Sequence, residues 1–307
     1  MKILIIGGDG YIGSYLNENL PYEITSVDIG WFNNKNSIKC DYNSLDEDFI
    51  SNFDSIVLLA GHSSVKMCEG DYTYAFNNNV INFINLLNKI KNINKRIKLI
   101  YASSSSVYGA TGENIVDETY LSFVPHNNYD ITKHVSDLYA EFSGIEYYGL
   151  RFGTVNGYSP IMRTDIMINS MVTSAILNNK IDLYVKDTLR PILGIKDLTS
   201  AIIKIIEETK DLRGIYNLAS FNSTSEKIAY SVSEIINKPV NEKEVGDVIF
   251  NSKLQTKNYN FSINCEKFIK NFNFTFKETI TTITNSIVEN FDSIVLTKRD
   301  NIKKYEL

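Results

Sequence analysis

Long apolar runs are missing from this chain of 307 residues. No stretch approaches the ~20 apolar residues needed to cross a bilayer. The opening Met1-Lys2-Ile3-Leu4-Ile5-Ile6 reaches glycines before it has the length of a signal peptide, so no membrane association is expected. Cysteine is scarce: Cys40, Cys68 and Cys265 are the only ones, and they show no C-x-x-C spacing. That argues against a zinc knuckle or a disulfide framework. Free thiols in a reducing cytoplasm, and no metal, are the expectation. Excess positive charge is also absent. Lys and Arg number 31 against 36 Asp and Glu, a net charge of −5, which argues against nucleic acid as a partner. There is no internal repeat and no Gly/Ser linker. What remains is 43% hydrophobic and 22% charged, an ordinary globular composition. The length suffices for one large domain or two lobes with a full core.

The first half alternates short apolar runs with helical patterns, which is the pattern of a parallel α/β sheet. Strands are expected at Lys2–Ile6, Glu23–Asp28, Ser55–Ala60, Lys98–Ser103 and Glu146–Phe152. Helical spacing of apolar residues predicts helices at Tyr11–Asn19, Asn79–Ile93 and Tyr129–Ser143. Ile3-Leu4-Ile5-Ile6 and Ile56-Val57-Leu58-Leu59 are continuous apolar runs, as strands covered on both faces require. After about Gly157 the pattern loosens. Helices are expected at Ile166–Leu177 and Leu198–Thr209, strands at Ile181–Val185 and Gly214–Ala219, and a charged surface tail at Thr297–Leu307. The fold class is therefore α/β, a Rossmann-type doubly wound parallel sheet with a smaller, partly interleaved C-terminal substrate lobe. Residues 1–157 are assigned to the first unit and 158–307 mainly to the second, with segments near 190–220 returning to the sheet.

Gly7, Gly10 and Gly13 follow the first strand and open the first helix, with Tyr11 and Ile12 between them. A pyrophosphate can sit at such a helix start, because free N–H groups and the helix dipole point at it. Glycine is needed where the backbone must come close to the phosphate. Asp28 ends the next strand, near the position where a dinucleotide fingerprint places its acid. It would accept hydrogen bonds from the adenosine ribose and repel a 2′-phosphate, so NAD is expected rather than NADP. Asp41 either faces the adenine or is a loop aspartate.

Tyr129 and Lys133 stand at i, i+4, on one helix face. A tyrosine has a reference pKa near 10, and a cation nearby favours its phenolate. Such a pair can take the hydroxyl proton while hydride leaves an alcohol carbon. The row Ser103–Ser106 follows the apolar Leu99–Ala102, at a strand C-terminus where open α/β sheets place ligands. A hydroxyl there can hold a substrate oxygen beside Tyr129.

These residues resemble the extended short-chain dehydrogenase/reductase family, in its branch of nucleotide-sugar epimerases and dehydratases. The glycines match its fingerprint, Leu59-Ala60-Gly61-His62 its cofactor loop, and Asn79-Val80 its Asn-Val helix start. Ala102–Gly109 is similar to its Ser-Ser-x-x-Val-Tyr-Gly segment, and Tyr129 with Lys133 to its catalytic pair. Leu150–Gly157, Arg190-Pro191 with Asp197, and Gly214–Ala219 are similar to its later segments. The resemblance implies catalytic roles for Ser104 (substrate clamp), Tyr129 (acid/base) and Lys133 (tuner and ribose contact). It adds Ala60 and Asn79 to the cofactor residues. It places Ser105, Thr154, Asn169 and Arg190 at the substrate, with Arg190 suited to a diphosphate. A homodimer is the family's usual assembly.

Dehydratases of the family carry Asp-Glu after the clamp hydroxyl, where this chain has Ser105 and Ser106. Nucleotide-sugar-acid decarboxylases keep the Glu, and 3,5-epimerase/reductases have a Cys at the Ser106 position; both are disfavoured here. Thr154 stands where many epimerases have Asn. The resemblance thus implies chemistry at C4 of a nucleotide-linked hexose or heptose, with net 4-epimerisation through a 4-keto sugar. The alternative is a C4 dehydrogenase that releases the keto sugar, for example from a GDP-heptose. Less favoured are a non-catalytic NAD-binding protein and a reductase of non-sugar carbonyls.

Overall fold

The computed structural model describes residues 1–30, 37–121, 125–242 and 260–297. All but the first residue of the expected tail Thr297–Leu307 lies outside them. The chain opens with β1 (Lys2–Ile6), α1 (Tyr11–Asn19), β2 (Glu23–Asp28), β3 (Ile38–Lys39), α2 (Glu47–Ser51) and β4 (Ser55–Leu58). Then come α3 (Val65–Gly70), α4 (Tyr72–Phe76), a π turn (Asn77–Ile81), α5 (Asn82–Asn92), β5 (Lys98–Ser104) and β6 (Ile115–Val116). α6 (Asn128–Ser143) and β7 (Glu146–Phe152) complete the alternating half. The rest comprises β8 (Thr154–Asn156), β9 (Ile161–Arg163), α7 (Met167–Asn178), β10 (Ile181–Leu183), β11 (Leu189–Gly194) and α8 (Ile195–Glu207). It continues with β12 (Gly214–Leu218), β13 (Phe221–Thr224), α9 (Ser225–Ile236), β14 (Val240–Glu242), β15 (Ser262–Ile263), α10 (Glu266–Phe272), α11 (Ile280–Glu289) and β16 (Val295–Thr297).

The central sheet runs β12-β7-β5-β4-β1-β2-β3, and every pairing in it is parallel. The expected Rossmann-type sheet is borne out. Alternation along each strand builds the two faces. Ile3, Ile5, Val57, Ile100, Tyr148 and Leu150 belong to one buried cluster, shared with α1, α7 and α8. Leu4, Ile6, Ile56, Leu58, Leu99 and Tyr101 belong to the other, shared with α5. A fully buried Leu or Ile contributes about 1.5–3 kcal/mol, so these apolar positions hold the sheet to the helices on both of its faces.

Strand order reverses between β1, which is followed toward β2, and β4, the position where ligands enter such sheets. β12 returns from the second half to form the sheet's edge beside β7. β11 is the central strand of a three-stranded sheet, β13-β11-β8, which carries the second wall of the cleft.

Except at one place, element ends differ from expectation by at most three residues, the most at α8, which starts at Ile195 rather than Leu198. The helix expected from Asn79 begins seven residues earlier, at Tyr72, and is interrupted by the π turn. Within that turn Asn78 and Asn79 hydrogen-bond His62 in the loop after β4, and single π turns of this kind are found frequently at functional sites.

Candidate active site

The loop after β1 turns at Gly7, whose φ is +93°. A Cβ on Gly7 would stand 2.5 Å from the Ala60 backbone nitrogen, and one on Gly13 would stand 2.1 Å from the Gly7 carbonyl oxygen. Only glycine permits this approach of loop, helix and strand. Gly10 begins α1 with no side-chain cap, so the first-turn N–H groups keep their capacity for an anion. These features fit a dinucleotide pyrophosphate.

Asp28, at the end of β2, accepts from Asp9 N (3.1 Å) and Gly30 N (2.9 Å). Each carboxylate oxygen keeps a free lone pair for a ribose diol. Asp28, Asp41 and Ala60 line a side chamber of about 80 Å³ together with Cys40, Tyr42 and Tyr74. Asp41 accepts from Asn43 N at 2.8 Å and caps a short turn there.

The main cavity, about 430 Å³, joins the glycine loop to the ends of β5, β8 and β11. Gly7, Gly10, Tyr11, Ile12 and Gly13 line one side; Ser104, Ser105, Tyr129 and Lys133 another; Thr154 and Arg190 a third. Tyr129 lies in the first turn of α6, which Asn127 caps by accepting from Asp130 N at 2.9 Å. Burial pushes the Tyr129 phenol up to about 12, with the Ser104 hydroxyl and the Arg163 guanidinium pulling the other way and Cys68 adding to the rise. Lys133 Nζ donates to Ala102 O at 2.7 Å and lies 5.8 Å from the Tyr129 ring centre. Burial lowers its pKa. Among the strongest influences on the phenol, the positive one comes from Arg163 rather than from Lys133.

Two expected residues stand outside the cavity lining. Asn79 accepts from His62 N (2.8 Å) and donates to His62 O (3.1 Å) and Thr132 Oγ1 (3.2 Å). It clamps the Gly61-His62 loop to α6. Asn169 is fully buried. It accepts from Gly157 N (2.9 Å) and donates to Arg163 O (3.0 Å) and the Tyr11 hydroxyl (3.3 Å). Both position backbone behind the wall and have their amides committed there.

Sequence reasoning passed over several residues of the lining, among them Asp130, Arg163 and Phe261. Arg163, on β9, is held by Asp165 at 2.9 and 2.7 Å, and it donates to Ser63 O at 3.4 Å. It lies in the stretch after Gly157, where periodicity gives no signal. Phe261 carries the Arg190 guanidinium 5.0 Å above its ring. Asp130 adjoins Tyr129 in the motif and reads as an ordinary first-turn acid. Ser106 Oγ donates to its Oδ1 at 2.6 Å. A carboxylate therefore does enter the region of Ser105 and Ser106, from α6 rather than from β5.

Behind the serines, Asp137 accepts from Tyr101 (3.0 Å), Ser103 (3.0 Å) and Arg151 Nε (2.9 Å). Arg151 in turn donates to the Tyr108 hydroxyl at 2.8 Å. This network fixes the end of β5 against α6 and β7.

Residues 3–219 match the family described as NAD dependent epimerase/dehydratase, which is well over half of the chain. The chain belongs to the NAD-dependent epimerase/dehydratase family. That membership bears out the expected cofactor. Protein CapI of Staphylococcus aureus is 29% identical over 291 residues, 84% of this chain and 86% of that protein. Among solved structures, the UDP-glucuronic acid 4-epimerase of Bacillus cereus with UDP-glucuronic acid and NAD is 21% identical. It superposes with a TM-score of 0.79 over 95% of this chain and 99% of that one. TunA, an NAD-dependent NDP-hexosamine 5,6-dehydratase, is 17% identical, with a TM-score of 0.82 over 96% and 98% of the two chains. At such identities the structural likeness shows the fold.

Proposed function

We propose that this member of the family oxidises C4 of a nucleotide-linked hexose or heptose and returns the hydride to the other face, with net 4-epimerisation. The observation that carries the reading is the convergence of Ser104, Tyr129 and Lys133 with the glycine loop on one cavity. The neighbour that is a UDP-sugar 4-epimerase with bound NAD supports it.

In this reading Gly7, Gly10 and Gly13, with Tyr11 and Ile12, hold the pyrophosphate, and Asp28 holds the adenosine ribose against a 2′-phosphate. NAD, when bound, supplies a reversible hydride acceptor. Tyr129 takes the C4 hydroxyl proton and gives it back. Lys133, released from Ala102 O or shared with it, lowers the proton affinity of Tyr129. Ser104 holds the C4 oxygen, and Ser105 and Thr154 border the sugar. Arg190, its plane fixed on Phe261, is placed for the diphosphate by its planar, permanent charge.

Tyr129→Phe removes the acid/base and leaves the cavity's shape. Turnover is expected to fall about 10²- to 10⁴-fold, with NAD binding retained. The assay offers UDP-, GDP-, dTDP- and CDP-linked hexoses and heptoses with NAD and identifies the products. An isomerised sugar without net NADH supports the reading. Net NADH with a released 4-keto sugar replaces it by the dehydrogenase, and full turnover by the Phe variant refutes the Tyr129 assignment.

A further inference from the structure

Asp28 does not stand alone at the end of β2, because a cation stands beside it. Lys39 is its register partner across β2 and β3. The Lys39 side chain runs along the turn after Asp28: its Cε, Cδ and Cγ lie 3.2, 3.3 and 3.4 Å from where a Gly30 Cβ would stand. A 2′-phosphate entering here would meet one carboxylate and one ammonium. That pair, taken by itself, leaves little net charge to turn the phosphate away.

A second carboxylate changes the count. Asp9, in the glycine loop, is buried, with 1% of its surface exposed. Its N–H donates to Asp28 Oδ2 at 3.1 Å, and its Oδ1 accepts from Ser37 Oγ at 2.5 Å. Asp9 thus joins the glycine loop, the end of β2 and the residue just before β3. Burial raises its pKa, Ser37 opposes the rise, and the charge on Asp28 adds to it, so the two carboxylates lie within each other's field. The bond to Ser37 needs only an acceptor, which a neutral Asn would supply. Burying an ion beside a like charge costs free energy that Asn would avoid. The charge is therefore the part of Asp9 that the local structure does not use.

We propose that Asp9 is a specificity-determining residue: with Asp28 it sets two carboxylates against the Lys39 ammonium, and so turns the ribose end of the cleft against a 2′-phosphate. The count is of the described residues; Lys35, in the loop between β2 and β3, lies outside them. The proposal rests on the reading of Asp28 as the ribose acid.

The test uses the full chain and measures dissociation constants for NAD and NADP by displacement of NADH fluorescence, so it does not depend on which sugar is turned over. Wild type should favour NAD. Asp9→Asn keeps an acceptor for Ser37 and removes the charge. It is expected to narrow the NADP-to-NAD ratio of dissociation constants about 10-fold, mainly by tightening NADP, which is the order of one unit charge acting across a partly wet site. Ser37→Ala keeps the charge and removes the bond, and should leave the ratio where it was. Asp28→Asn alone should still favour NAD, the D9N/D28N double variant should not, and Lys39→Gln should widen the ratio. A ratio unmoved by D9N overturns the proposal, as does a wild type that binds NADP as well as NAD. So does a D9N loss that falls on both cofactors alike, which is the mark of a merely structural acid. If D9N does not fold, D28N decides: equal binding of the two cofactors overturns the proposal, and a kept preference for NAD supports it. If D28N alters neither NAD affinity nor the ratio, the assignment of Asp28 to the ribose fails separately, and D9N still judges Asp9.

Discussion

At the scale of single residues, the site depends on one phenol held in a form it must leave. Burial raises Tyr129 above the usual tyrosine value, to about 12. The proton is therefore held more tightly than in an exposed tyrosine, and the active base is the scarce form at neutral pH. Phenolate increases tenfold per pH unit below its pKa. The value of kcat/KM for alcohol oxidation is accordingly expected to climb from about pH 6 to about pH 8. It levels off where Lys133 and the bound cofactor have brought the pKa down. A flat profile across that range, measured with a substrate identified by the panel above, would show that another group takes the proton. The i, i+4 spacing correctly places Tyr129 and Lys133 on one helix face. It could not foretell that the ammonium bonds Ala102 O, because that carbonyl belongs to β5.

At the scale of elements, the cavity is a meeting of loop ends, each tied down from behind. Asn79 shows how this works. Its amide makes hydrogen bonds to both backbone groups of His62 and to Thr132, joining the π turn, the loop after β4 and α6. Asn79→Ala leaves the His62 backbone groups without that partner in a buried place. Destabilisation of about 1–3 kcal/mol is expected, read in urea, together with weaker NAD binding from a looser Gly61-His62 loop. Unchanged stability would show that the loop holds itself. The sequence marks Asn79 as belonging to the cofactor region. That it acts on the loop rather than through the cavity depends on the π turn, which a 3.6-residue period cannot reveal.

At the scale of the whole molecule, α6 faces two ways. Its inner side carries Tyr129, Asp130 and Lys133, and its outer side exposes Leu138, Tyr139 and Phe142, the last at 86%. Large apolar side chains left in water on one helix face mark a surface suited to association. On that ground the homodimer expected from the family is proposed to use this face. Phe142→Glu is expected to convert dimer to monomer in light scattering while leaving the melting transition cooperative. A wild type that is monomeric at micromolar concentration would refute this. Among the described residues, no helix is long and apolar enough to cross a membrane.

Local rules located the sheet, the glycine loop, Asp28 at a strand end and the Tyr-Lys pair on one helix. Apolar alternation, tight turns and helical spacing act over a few residues and can be read directly from the chain. The glycine loop, Asp28 and the Tyr-Lys pair fall within residues 3–219, the stretch that matches the family. The third dimension decided what lies behind and across from them. Arg163 reaches the cavity from β9, Phe261 stacks on Arg190, and Asp130 stands 24 positions from Ser106 in sequence yet 2.6 Å away in space. Such contacts arise because α6 packs against the end of β5 and because β11 closes the cleft from the second half of the chain. That is a consequence of how the core is filled, and no pattern along one segment encodes it.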